Sequence, residues 1–252
     1  MTAMSKTIAI VQARLGSSRL RNKASRRLGG RSLLEHVVRR VTDCAWLDGV
    51  VVAAGDSRED REIASLAPPE VPVFYGDGGD LLRCFVDTID AFDADHIVRV
   101  CPDNPFIDPL FIERLVLTGR EHPHCDYIGY ASRTGRPAVL SSVGIFGEWC
   151  KADALRTAAR EARSPADREQ VTRYIYSHPE TFRLRLIPIP DDLDRDDLRL
   201  TVDYEEDFEH AQWIFEALGA EESDWRRIAG LLKEQPKLRE RMARLNREHA
   251  RA

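Results

Sequence analysis

The sequence predicts an α/β domain built on a mostly parallel central sheet. Short runs of Val, Ile and Ala alternate with stretches whose apolar residues recur at helical spacing, the arrangement of successive βαβ units. The chain has 252 residues, a length that one α/β domain fills without a disulfide or metal staple. After about residue 125 the rhythm shifts to shorter strand-like pieces, which predicts a small, partly antiparallel insert over 125–190 within one domain spanning 1–252.

Thr7–Ala13 is a first buried strand, followed by a polar loop from Arg14 to Lys23. Leu33, Leu34, Val37, Val38 and Val41 form one face of a helix over Ser32–Val41. Gly49–Ala54 is a second strand, and Ser57 caps a helix reaching Leu66. Val71–Tyr75 is a short strand whose Pro72 assigns it to an edge. A helix over Leu81–Phe92, a strand over His96–Cys101 and a helix over Asp108–Thr118 complete the regular part. In the insert, strands over Asp126–Ala131, Pro137–Phe146 and Phe182–Ile189 bracket helices over Ala152–Ala162 and Asp167–His178. Leu198–Asp203 returns to buried-strand composition, and three helices finish the chain, the last from Pro236 to about Ala250.

Composition excludes several classes. Hydrophobic residues make up 43% and charged residues 31%, the profile of a soluble globular chain. No apolar run approaches the ~20 residues that span a bilayer, and the first residues carry no signal-peptide pattern. Five cysteines lie scattered without a Cys-x-x-Cys pair, which fits reduced thiols and a cytoplasmic location rather than a disulfide framework or zinc site. The formal net charge is −5. Between Arg14 and Arg40, however, nine Lys/Arg face one acid, Glu35, which marks an anion-binding surface. The seven histidines form no metal-ligand spacing and read as structural. The basic stretch 233–251 reads as an amphipathic helix packed on the body. It lacks the interleaved aromatic residues of a nucleic-acid surface, so no nucleic-acid partner is expected.

Ligands of open α/β sheets bind beyond the carboxyl ends of the strands. The first strand ends in Gln12-Ala13-Arg14-Leu-Gly16-Ser17-Ser18-Arg19, with Lys23 beyond. Gly16, Ser17 and Ser18 let backbone N–H groups approach phosphate oxygens, while Arg14, Arg19 and Lys23 supply charge. The loop is neither a Walker loop nor a dinucleotide fingerprint, and no serine-hydrolase elbow is present. Asp103 and Asp203 stand at the ends of two other predicted strands. Two carboxylates converging near a phosphate loop suit Mg²⁺, which takes one or two carboxylates plus phosphate oxygens and water.

Ile10-Val-Gln-Ala-Arg-Leu-Gly-Ser-Ser-Arg-Leu-Arg-Asn-Lys23 resembles the opening signature of the spore-coat-polysaccharide-type cytidylyltransferases, a family similar to the acylneuraminate and Kdo cytidylyltransferases. The resemblance continues in Val98-Arg-Val-Cys-Pro-Asp-Asn-Pro-Phe-Ile-Asp-Pro109, Ser142-Val-Gly-Ile-Phe-Gly-Glu148, Asp167-Arg-Glu-Gln-Val-Thr-Arg-Tyr174 and Leu198-Arg-Leu-Thr-Val-Asp-Tyr-Glu-Glu-Asp207. It implies a Rossmann-like nucleotide-diphospho-sugar transferase (GT-A-like) fold. The implied reaction joins CTP to an acceptor, giving a CMP-linked product and pyrophosphate with Mg²⁺. Carried over by position, Arg14, Ser18, Arg19 and Lys23 would hold the triphosphate, with Gln12, Ala13, Gly16 and Ser17 in the same loop. Asp103 and Asp203 would bind the metal, and Arg14, Lys23 and Asp103 would carry catalysis. Glu148, Arg168, Gln170 and Arg173 would face the acceptor. The resemblance also implies a homodimer through the insert.

The sequence departs from the family pattern at four places. Arg21-Asn22 replaces a Pro-Gly turn, Pro102 replaces a Gly, Gln170 a His and Arg173 a Pro. Added arginines suit an acidic acceptor such as a sugar acid, a phosphate or a phosphonate, in polysaccharide or specialised-metabolite synthesis. The rival readings are a sugar-nucleotide-dependent glycosyltransferase and a non-catalytic nucleotide-binding homologue.

Overall fold

The computed structural model describes residues 5–16, 19–219 and 223–249. Its strands and helices, in chain order, are β1 (Thr7–Ala13), β2 (Arg27–Leu28), β3 (Arg31–Ser32), α1 (Leu33–Thr42), β4 (Gly49–Gly55), β5 (Val73–Gly76), α2 (Leu81–Ala91), β6 (His96–Val100), α3 (Pro109–Glu121), β7 (Tyr127–Ala131), β8 (Glu148–Lys151), α4 (Ala152–Glu161), α5 (Pro165–Glu169), α6 (Arg173–Ser177), β9 (Leu184–Pro188), α7 (Glu205–Leu218), α8 (Trp225–Lys233) and α9 (Pro236–Glu248). The main sheet runs β5-β4-β1-β6-β8-β7-β9. Every neighbouring pair is parallel except those made by β8, which runs against both β6 and β7. The α/β, mostly parallel sheet expected from the sequence is therefore what forms, and the region 125–190 extends that same sheet.

The strand period of two sorts the core into two layers. Ala9, Val11 and Ala13 of β1 face a cluster with α1, α3 and α7–α9, whereas Ile8 and Ile10 face one with α2 and α4. Each fully buried Val, Leu or Ile contributes on the order of 1.5–3 kcal/mol. β5 stands at the sheet edge, as Pro72 in the expected strand predicted, although the strand itself begins one residue after that proline.

Four expectations change. The Ser57 cap forms, its Oγ accepting from Asp60 N at 3.0 Å. The segment behind it is a 3₁₀ helix over Asp60–Ser65, closed by i→i+3 bonds such as Leu66 N to Ile63 O. The stretch 137–146 is not a strand. Pro137 makes one isolated bridge to Ala131, a 3₁₀ turn follows over Ala138–Leu140, and Gly144 sits at φ 69°. The strand is instead β8, too short and mixed to show in the pattern. The helix expected over 167–178 divides into α5 and α6 at Gln170, because the turn lets Thr172 reach inward to Glu148 at 2.8 Å. Finally, 198–203 is buried but joins no sheet. The N–H groups of Leu200 and Thr201 donate to Ser142 O, and that of Val202 donates to Asp103 O at 2.8 Å. Loop carbonyls satisfy its backbone, so no ladder is needed.

Candidate active site

A cleft of about 410 Å³ lies where β1 and β6 end. Gln12, Arg14, Arg19 and Lys23 form its near wall, and Pro102 and Asp103 its floor. The far wall comes from Arg99, Cys101, the turn at Val139 and Leu140, and the α5–α6 residues Glu169, Gln170, Thr172 and Tyr176. Parallel strands delivering their carboxyl ends to one rim is what gathers residues so distant in sequence.

The near wall is anchored at its root. Leu15 N donates to Asp60 Oδ1 at 2.9 Å, and Ser57 Oγ donates to Asp60 Oδ2 at 2.8 Å. At Gly16 a Cβ would meet no atom within 4 Å, so no protein contact among the described residues requires a glycine there. Ser17 and Ser18 lie outside the described residues. Ala13 is buried at the end of β1. Arg14 is half exposed and reaches Glu169 at 3.5 Å across the cleft.

Asn22 takes the left-handed conformation, φ 54° and ψ 34°, directly before Lys23. Asn is one of the few residues besides Gly that enters this region readily, so the turn survives the loss of Pro-Gly. Lys23 Nζ then donates to Asp203 Oδ1 at 3.1 Å and stands 3.6 Å from Asp103 Oδ2. Arg19 Nη2 lies 3.2 Å from the same Asp203 oxygen. The Asp203 carboxylate is 1% exposed, and a buried charge of this kind demands paired cations. Asp103 and Asp203 are held together by the bond from Val202 N to Asp103 O.

Behind the far wall, Glu148 is buried and accepts three hydrogen bonds. Arg99 Nη1 donates to its Oε2 at 2.6 Å, while Tyr127 Oη and Thr172 Oγ1 donate to its Oε1 at 2.6 and 2.8 Å. Burial, with the Glu148 charge second, pushes the Tyr176 phenol up to about 12, so it remains a neutral donor on the cleft surface.

The sequence-predicted residues thus divide. Gln12, Arg14, Arg19, Lys23, Asp103 and Gln170 share the cleft, and Asp203 reaches it through Lys23. Glu148 lies behind the wall. Arg168 and Arg173 are not among the lining residues. Arg168 Nε donates to Asp80 Oδ2 at 2.6 Å and its Nη1 to the carbonyls of Ala159 and Ala162, tying α2 and α4 to α5. Arg173 pairs with Asp167. Arg99, Cys101, Thr172 and Tyr176 were missed. The signal for Arg99 was legible, since it is the one charge within the otherwise apolar run of β6 and so had to face a polar site.

The profile of the cytidylyltransferase family matches residues 8–237. The chain is 33% identical over 238 residues to an uncharacterised protein of Methanocaldococcus jannaschii, covering 93% of each. It is 31% identical over 223 residues to the spore coat polysaccharide biosynthesis protein SpsF of Bacillus subtilis, covering 86% of this chain and 89% of that one. Among solved structures, a cytidylyltransferase from Leptospira borgpetersenii superposes with a TM-score of 0.83 at 24% identity, covering 93% of this chain and 96% of the other, a likeness of fold.

Proposed function

The chain belongs to the cytidylyltransferase family, a family of nucleotidyltransferases, and from that premise we propose that its cleft transfers a cytidylyl group from CTP to a small acidic acceptor. The observation that carries this reading is the Lys23 ammonium set between Asp103 and Asp203 at the foot of an arginine-lined loop. The pair of carboxylates already gathers the positive charges of Lys23 and Arg19 there, and two carboxylates are the donor set that magnesium uses together with phosphate oxygens and water. Among the described residues no group of three or more His, Cys, Asp or Glu gathers, in keeping with two protein ligands and the remainder from nucleotide and solvent. Asp103 and Asp203 would hold the metal, which when bound supplies positive charge to phosphoryl oxygens.

The chain's own groups account for the rest. An acceptor oxygen attacks the α-phosphorus in line, the bond to the bridging oxygen breaks, and pyrophosphate leaves. Negative charge grows on the leaving oxygens. Arg14, Arg19 and Lys23 would meet it, and fixed charge of this kind is usually the largest catalytic contribution in phosphoryl-type transfer. No protein nucleophile is required. Arg99, Gln170 and Tyr176 on the far wall support an acceptor carrying an anionic or hydroxyl-rich face. The likeness to SpsF, whose name places that protein in spore coat polysaccharide biosynthesis, supports a role in surface-polysaccharide synthesis.

Thermal unfolding with CTP, UTP, ATP and GTP, each with and without Mg²⁺, tests the reading. A ligand at 100 times its dissociation constant adds about 2.7 kcal/mol to the folded state. CTP with Mg²⁺ is expected to raise the unfolding midpoint most. Asp103→Asn and Asp203→Asn are each expected to abolish the Mg²⁺-dependent part while leaving the protein folded. A full shift in both variants would remove the metal assignment, and no shift with any nucleotide would remove the reading.

A further inference from the structure

Asp203 ends a segment that has no sheet ladder to set its register, yet its carboxylate stands 3.1 Å from Lys23 Nζ and 3.2 Å from Arg19 Nη2. What fixes it lies one turn into α7. The Asp207 carboxylate accepts four hydrogen bonds: from Arg199 Nε at 2.6 Å, Arg199 Nη2 at 3.0 Å, Asp203 N at 2.9 Å and Tyr204 N at 3.0 Å. The side chains of Arg199 and Asp207 are 1% and 0% exposed. Arg199 Nη1 continues outward, donating to Ser142 Oγ at 3.0 Å and to Asn246 Oδ1 of α9 at 3.3 Å. The Asn246 amide in turn donates to Asp196 O at 2.8 Å and Leu198 O at 2.9 Å, gripping the start of the same segment.

A buried ion pair is a poor source of stability, because desolvation offsets most of its attraction. A neutral side chain would cap α7 equally well. What this arrangement adds is fixity. Asp203 is gripped at its own backbone nitrogen, and the gripping carboxylate cannot rotate because Arg199 holds both of its oxygens. Hydrogen-bonded partners behind ligating groups commonly set ligand orientation in this way.

We propose that Asp207 is the positioning residue for Asp203, held by the Arg199 fork and, through it, by Asn246 of the C-terminal helix. The basic helix α9 is then the outer end of a brace on the site rather than a surface ornament. The inference rests on the reading that Asp103 and Asp203 hold a divalent cation. It assigns to the Arg199–Asp207 pair an effect on cation affinity separate from its effect on stability.

The test is Mn²⁺ binding to the full chain without nucleotide, followed by electron paramagnetic resonance, with unfolding midpoints measured in parallel. Two double variants each remove the buried ion pair without stranding a charge. Arg199→Met with Asp207→Asn keeps an acceptor for the Asp203 N–H, and Arg199→Met with Asp207→Leu removes it. The first, which keeps the acceptor but loses the Arg199 fork, is expected to bind Mn²⁺ more weakly than the parent, and the second, which loses both, more weakly still, about tenfold or more below the parent. Equal affinities in the two would overturn the brace, since a merely structural pair would move both alike. No Mn²⁺ binding by the parent, either alone or with CTP added, would instead overturn the metal reading beneath it. Should the leucine variant not fold, Asn246→Ala, which leaves both charges in place, is expected to weaken Mn²⁺ binding, and unchanged binding there overturns the proposal.

Discussion

Lys23 donates to Asp203 at 3.1 Å and stands 3.6 Å from Asp103, so its ammonium and a divalent cation draw on the same oxygens. At about 4 Å a unit charge pair is worth roughly 4 kcal/mol at the effective dielectric of a protein surface, enough to make the competition measurable. Lys23→Met is therefore expected to bind Mn²⁺ more tightly than the parent when nucleotide is absent. The same variant should turn CTP over far more slowly, because the charge meant for the triphosphate is gone. Titrations with and without CTP separate the two effects. Weaker Mn²⁺ binding in the nucleotide-free variant would contradict the shared-oxygen account. The sequence grouped Lys23, Asp103 and Asp203 by residue type, and the structure brings them together with Asp103 beyond the end of β6, Lys23 in the loop after β1 and Asp203 at the end of an extended segment rather than of the expected strand. Arg168 and Arg173 show the reverse case. Both arginines sit in a motif, but the sequence does not show that Asp80 and Asp167 lie close enough to hold them.

The phosphate-side loop depends on one backbone conformation, that of Asn22 at φ 54°. An L-residue without a short polar side chain costs about 1–2 kcal/mol there. Asn22→Ala is accordingly expected to lower stability by about 1 kcal/mol and to weaken CTP binding through Lys23, whereas Asn22→Gly should be close to neutral. Equilibrium unfolding in urea and a CTP titration check both, and a neutral alanine variant would show that the turn is not under strain. Among the elements, long periodic helices such as α1 and α2 and the apolar strands β1, β4 and β6 were legible within a residue or two. Their burial is set by their own pattern. Leu198–Asp203 misled because buried apolar composition is shared by sheet strands and by extended segments whose N–H groups find loop carbonyls. Here Ser142 and Asp103 supplied those carbonyls, and Gly144 made the close approach possible, since a Cβ there would lie 2.7 Å from Thr201 N. β8 was missed because its four residues, Glu-Trp-Cys-Lys, carry no period of either kind.

Across the whole molecule, three histidines sit in environments that oppose their charge. His36, His96 and His210 are each held below the ordinary value of 6.5, with burial as the leading cause. The unfolded chain takes up protons at these positions as pH falls through about 6.5, while the folded chain does not. Stability is thus fully present above that value and is lost progressively as the pH falls below it. Unfolding midpoints at pH 7.5 and 5.5 test the sign. His96→Phe, which keeps a ring beside Trp149, should narrow the difference, and equal midpoints in the parent would refute the account. The sheet order has a consequence for synthesis as well. β7 leaves the ribosome before β8, yet it joins the body of the sheet only through β8. Until residues 148–151 emerge, the outer edge of β6 stays open and β7 waits unattached. At about 5–20 residues per second that interval lasts seconds, long enough for an exposed strand edge to meet another nascent chain. Codon choice between the two strands therefore bears on how much of the protein is recovered folded.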